Sequence, residues 1–153
     1  MAFALAGVMA RPGRRSLGDH CPIDRTMQLL GSRSAVLLMR ESYFGTTRFD
    51  EFVARTALTE AVVAGRLRDL VDAGLLAKEP YREPGQRTRQ AYVLTDRGRD
   101  LMPAVIALGQ WGAKHLPGTR GRSLEHRDCG QRVRVVVECA DHHPVGVEDV
   151  VVS

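Results

Sequence analysis

The stretch YREPGQRTRQAYVLTDRG, residues 81–98, sets Arg82, Arg87 and Arg89 around a Pro84-Gly85 turn. A guanidinium is a planar, permanently charged donor that suits phosphate oxygens and narrow grooves. A solvated hairpin tip is satisfied by Asn, Asp, Ser or Lys, yet here two arginines flank Thr88 with Glu83 as the nearest acid. Arg48, just before Phe49, adds a cation at an expected helix start, where backbone N–H groups already favour an anion. A second cluster lies in the tail. His126-x2-Cys129 and Cys139-x2-His142 are two ligand pairs separated by a short Val-rich strand. Thiolate and imidazole at that spacing suit a tetrahedral structural zinc, and Gly130 supplies the turn a knuckle needs. His143 competes with His142 for the fourth position, and a Val-rich strand with no metal is the alternative. Finally, Cys21 stands before Pro22 at a helix start, with His20 and Arg25 nearby. A helix N-terminus favours thiolate, the reactive form. The plain alternative is a small buried residue that packs.

These side chains need elements to hold them. Pro22 suits a first helical position, and Ile23, Met27, Leu29 and Leu30 follow at helical spacing up to Gly31. Ser32 or Ser34 opens a second helix with the apolar run Val36, Leu37, Leu38 and Met39, ending at Gly45. Thr46 or Thr47 caps a short third helix, and Arg55-Thr56-Ala57 reads as a tight connection. Thr59 caps a fourth helix through Asp72, stopped by Ala73-Gly74. Leu75-Leu76 opens a strand, 83–89 turns, and 90–94 returns. Thr95 caps a last helix that Pro103 kinks or breaks in two. A short helix, a tight turn, a second helix and a two-stranded hairpin make the winged helix-turn-helix layout. The expected divisions are a disordered arm at 1–18, this domain at 19–117 and a tail at 118–153.

Around residues 59–72, Val63, Leu67, Leu70 and Val71 share the inward side at 100° per residue. Ala61, Gly65, Arg68 and Asp72 share the outward side. In a helix that reads DNA, the outward side enters the major groove and its early residues, here Thr59 and Glu60, meet base edges. Small Ala61 and Gly65 let the backbone approach, and Arg68 reaches phosphate or guanine. An ordinary amphipathic helix with a solvated face fits the same pattern, and the arginines at 48, 87 and 89 favour the DNA reading over it.

The totals agree. The chain has 153 residues, 44% hydrophobic and 26% charged, with a net charge of +4, so a folded core and an acidic partner are expected. Three cysteines make no disulfide scaffold and point to a reducing compartment. The opening MAFALAGVMARPGRR places its charge after a short apolar run, unlike a signal peptide, and no stretch is long enough to span a bilayer. A cytoplasmic protein without membrane contact is expected. No nucleophile–base pair, glycine-rich phosphate loop or framed acid pair supports an enzyme. A winged helix that docks a protein instead of DNA remains as the other reading, and salt dependence separates the two.

The segments CPIDRTMQLLGSRSAVLLMRESYFGTTRFDEF, LTEAVVAGRLRDLVDAGLL and YREPGQRTRQAYVLTDRGRDLMPAVIALGQWG together resemble the HxlR-type regulators, a branch of the MarR-like winged-helix proteins. The resemblance covers about residues 20–116 and rests on Cys21-Pro22, Arg48-Phe49, Arg66-Leu67-Arg68, Gly74-Leu75, Tyr92-Val93-Leu94-Thr95, Gly98 and Trp111-Gly112. It implies an α+β, mainly helical fold: a winged helix-turn-helix with helical dimerisation elements and a small Cys/His-containing tail. It implies a homodimeric transcription factor on double-stranded DNA, joined through its first and last helices, with no cofactor required for DNA binding. It also implies a redox or electrophile sensor at Cys21, hence an oxidant or small-molecule effector. The chain departs from the family at Ser34, where a tryptophan is usual, and at Ala61 and Gly65, where polar base-reading residues are usual. Apolar contacts to thymine methyls or shape readout would replace direct readout there.

Overall fold

A computed structural model describes residues 2–7, 21–119 and 121–152. They fall into two compact units. One is Gly18–Thr119; the other combines the described parts of Met1–Leu17 and Arg120–Ser153.

The larger unit carries α1 (Pro22–Leu30), α2 (Arg33–Tyr43), α3 (Phe49–Thr56), α4 (Glu60–Asp72), β2 (Leu76–Tyr81), β3 (Arg89–Leu94), α5 (Asp96–Asp100) and α6 (Met102–His115). Local chemistry sets most of these boundaries. Pro22 occupies the first turn of α1. The Ser32 hydroxyl accepts from the Ala35 N–H at the start of α2, and Thr59 from the Val62 N–H at the start of α4. Pro103 lies in the first turn of α6, and the last helix is broken in two around Leu101. Residue 74 ends α4 with φ +70, a conformation that favours glycine. The expected tight connection 55–57 is shorter than its reading: α3 continues through Thr56, and Ala57 turns the chain at φ 53.

The core gathers Leu38 and Met39 from α2, Phe52 from α3, Val63, Leu67 and Leu70 from α4, and Leu75 with Leu76 at the root of the hairpin. The inward face of α4 is therefore the expected one, although Val71 is only half-buried. Val36 and Leu37 are likewise half-buried, so the apolar run of α2 straddles the edge of the core. Ser34 is half-buried and its hydroxyl lies 3.2 Å from that of Ser32.

Strands β2 and β3 pair antiparallel from Leu76↔Leu94 out to Tyr81↔Arg89. Thr95 ties the hairpin to the next helix. Its hydroxyl donates to the Gly74 carbonyl at 2.6 Å and accepts from the Gly98 N–H at 3.0 Å. The Tyr43 hydroxyl closes the same corner by donating to the Gly98 carbonyl at 2.7 Å.

In the smaller unit, β1 (Ala4–Leu5) pairs in parallel with β4 (Val151–Val152). Residues 4–5 of the arm expected to be disordered thus form a strand, because their backbone finds hydrogen-bond partners at the far end of the chain. Residues 8–18 of that arm, and His20, lie outside the described residues. Among the described residues, no helix is long and apolar enough to cross a membrane.

Candidate nucleic-acid interface

Thr59, Glu60 and Ala61 are exposed at the start of α4, and Arg68 is exposed two turns on. A Cβ built on Gly65 meets nothing within 4 Å, so this glycine faces open space. The outer face of α4 is free, as its periodicity implies. Thr59 spends its side-chain oxygen on the Val62 N–H at 3.4 Å, which leaves its hydroxyl proton to donate outward. The face is small and weakly polar around Ala61 and Gly65, with Val62 41% exposed beside them.

The hairpin root packs against α4 through Leu75 and Leu76. At its tip the Gln86 N–H donates to the Glu83 carbonyl at 3.0 Å, with Gly85 at φ 76. Proline then glycine at the centre of such a turn is the type II pattern. Arg82 folds back, its Nε donating to the Gln86 carbonyl at 3.0 Å. Arg87 and Arg89 are exposed, and no ion pair holds either one among the described residues. Arg89 is the first residue of β3, not part of the expected 83–89 turn, because the ladder extends to its pairing with Tyr81. It borders an open cleft of about 420 Å³ with Phe49, Asp50, Tyr81, Gln90 and Tyr92.

Arg48 differs from the other two. It is the N-cap of α3 but makes no side-chain capping bond. Its Nη1 sits 2.6 Å from Glu83 Oε1, and its guanidinium lies 5.0 Å from the centre of the Tyr81 ring. This partnership joins residues far apart in sequence, and helix spacing carries no sign of it. The mixture of one acid and one aromatic at the hairpin's outer end was the available signal.

Cys21 is the N-cap of α1, partly buried, with no side-chain capping bond. Next to it α1 exposes Ile23 and Met27, while α6 exposes Leu108 and Trp111 and buries none of its residues.

Among the described residues, the tail does not gather the expected zinc ligands at one point. His126 Nδ1 lies 3.3 Å from Cys129 Sγ, so the first pair is assembled. In the second, His142 faces Glu138 at 3.5 Å. No three of His, Cys, Asp and Glu converge on one point among the described residues. Each pair closes its own turn: Gly130 N–H donates to the His126 carbonyl, and His142 N–H to the Cys139 carbonyl. The local turns are thus as the spacing implies, but four donors at tetrahedral range are not brought together.

A family description, HxlR-like helix-turn-helix, matches residues 29–120. The HTH-type transcriptional regulator Rv3095 of Mycobacterium tuberculosis is 36% identical over 111 residues, covering 71% of this chain and 69% of that protein. The crystal structure of PA1607, described as a candidate transcription factor, is similar at a TM-score of 0.79 and 34% identity, covering 90% of this chain and 96% of its own. That coverage reaches beyond Gly18–Thr119. The redox regulator HypR in its reduced form is similar at a TM-score of 0.56 and 27% identity, covering 63% of this chain and 94% of its own.

Proposed function

The chain belongs to the HxlR-like helix-turn-helix family, whose members are transcriptional regulators and not enzymes, and from that premise we propose that it works as a homodimer on duplex DNA. In this reading α4 enters the major groove, with Thr59, Glu60 and Arg68 as its polar contacts and Ala61 and Gly65 giving close backbone approach. Arg87 and Arg89 of the wing hold the sugar–phosphate backbone, with Arg48 beside the outer end of the wing. A regulator of this kind acts in the cytoplasm, where the DNA is, and needs no cofactor for binding. The observation that carries the reading is the free outer face of α4 beside a hairpin whose Arg87 and Arg89 are exposed and form no ion pair among the described residues.

The test is duplex binding by the purified protein as salt is raised. Counterion release makes affinity fall steeply with salt when guanidinium groups hold phosphates. Flat salt dependence would support the second reading, in which exposed Val62 and Ala61 dock a protein partner.

The dimer would form by joining the apolar faces of α1 and α6, which a single chain leaves in water. Cys21 is the N-cap of α1, and in this reading its oxidation or alkylation would disturb the seam. The likeness to the redox regulator HypR supports an oxidant or electrophile as effector. Cys21→Ser is expected to keep DNA affinity and to lose release by peroxide or a quinone. Release of the Ser variant at the same dose as wild type, or no release of wild type, would end the sensing role.

A further inference from the structure

We infer that Arg48 is a positioning residue that sets the direction of the wing, and that its charge is committed to the protein before any DNA arrives. The inference rests on the DNA-binding reading and deepens it.

The hairpin is held at two places. Near its root, the Tyr92 N–H donates to the Thr47 carbonyl at 2.8 Å, and the Tyr92 ring meets buried Phe52 edge-on at 6.3 Å. Leu76 at the root is buried. Farther out the ladder runs through Glu79↔Ala91 and Pro80↔Gln90 to Tyr81↔Arg89, and every one of Glu79, Pro80, Arg89 and Gln90 is exposed. A two-stranded ribbon in water holds its own direction poorly.

Arg48 supplies the outer hold. One guanidinium from the start of α3 reaches the last residue of β2, Tyr81, and the first residue of the tip turn, Glu83. It thereby fixes the ribbon on the outgoing strand and at the turn together. The side chains of Arg48 and Glu83 are 42% and 43% exposed, so water screens the pair and it adds little to global stability. Its effect falls on where Arg87 and Arg89 point. A fixed tip presents both guanidinium groups at a lower ordering cost at binding, and leaving one such side chain to be ordered costs roughly two- to tenfold in affinity.

Arg48 and Glu83 also cancel in charge. Removing both leaves the net charge unchanged, which separates positioning from phosphate contact. The experiment compares wild type with Arg48→Met, Tyr81→Leu, Arg48→Lys and the double variant Arg48→Met/Glu83→Gln, all as full-length chains. Amide hydrogen exchange of the free protein is read at residues 82–88, and duplex affinity is read across a salt series. Faster exchange at the tip in Arg48→Met and Tyr81→Leu is expected, with partial rescue by Lys and an unchanged thermal midpoint. The double variant is expected to bind roughly two- to tenfold more weakly with the same slope of log affinity against log salt.

Unchanged tip exchange in both single variants overturns the inference. A slope that falls by about 0.9 in the double variant also overturns it, because Arg48 is then a phosphate contact. If wild type binds no duplex, the DNA reading fails and the inference fails as a statement about DNA. The exchange data still distinguish that failure from an absent clamp.

Discussion

Gly98 and Gly65 are helical glycines with opposite surroundings. A Cβ on Gly98 would run into the carbonyl oxygen of Leu75, a backbone atom that cannot turn aside. Gly98→Ala is expected to cost about 2 kcal/mol, within the usual range for overpacking. Gly65 faces open space, and there alanine removes only the entropic penalty of glycine. Gly65→Ala is expected to add up to about 1 kcal/mol. Urea titrations of the two variants check both, and a stabilising Gly98→Ala would deny the tight corner. Tyr43 belongs to the same corner. Burial pushes its phenol from 10.0 up to about 12. The unfolded chain therefore releases this proton first. Its contribution is intact below pH 10 and is lost as pH climbs from 10 towards about 12. Tyr43→Phe is expected to flatten that alkaline fall in the urea midpoint while weakening the fold at neutral pH by the lost hydrogen bond to Gly98, about 1 kcal/mol. An equally steep fall in the variant would assign the alkaline loss to other groups.

Among the elements, the ones readable from sequence are those whose limits are set within a few residues. Pro22, Ser32, Thr59 and Thr95 start helices through their own rings or hydroxyls, and the structure keeps each of those starts. Pro103 breaks a helix by its own missing N–H. The outward face of α4 follows from a 3.6-residue period alone. The hold of Arg48 on Tyr81 and Glu83 was not readable, because it depends on two elements meeting across more than thirty residues of chain. The ends of β3 and α3 also shifted, since a ladder or a helix extends while its backbone bonds stay favourable. The wing carries its own prediction. Arg87→Ala/Arg89→Ala is expected to weaken every duplex alike and to lower the salt slope by about 1.8, two phosphate contacts' worth. Filter or fluorescence binding on unrelated duplexes measures this. Retained affinity for generic DNA would remove the wing from the interface.

At the scale of the whole molecule, Ile23 on α1 is 73% exposed, and Leu108 and Trp111 on α6 are 60% and 59% exposed. Apolar surface of that kind on a terminal helix is costly in water and calls for a cover. Leu108→Glu/Trp111→Glu is expected to yield monomers in sedimentation and to weaken DNA binding at least tenfold, since two half-sites no longer act together. A variant that stays dimeric would move the interface elsewhere. The tail was half legible for a related reason. Spacing fixes each Cys/His turn locally, but whether the turns meet is decided by the path of the chain between them. The pairing of Ala4–Leu5 with Val151–Val152 had no signature in two such short segments. It nonetheless has a mechanical consequence. The strands run in parallel, so the start of β1 and the end of β4 lie at opposite ends of the pair. Tension applied between the two ends of the polypeptide therefore loads Ala4 N–H on Val150 and Ala6 N–H on Val152 side by side, in shear, instead of peeling them one at a time.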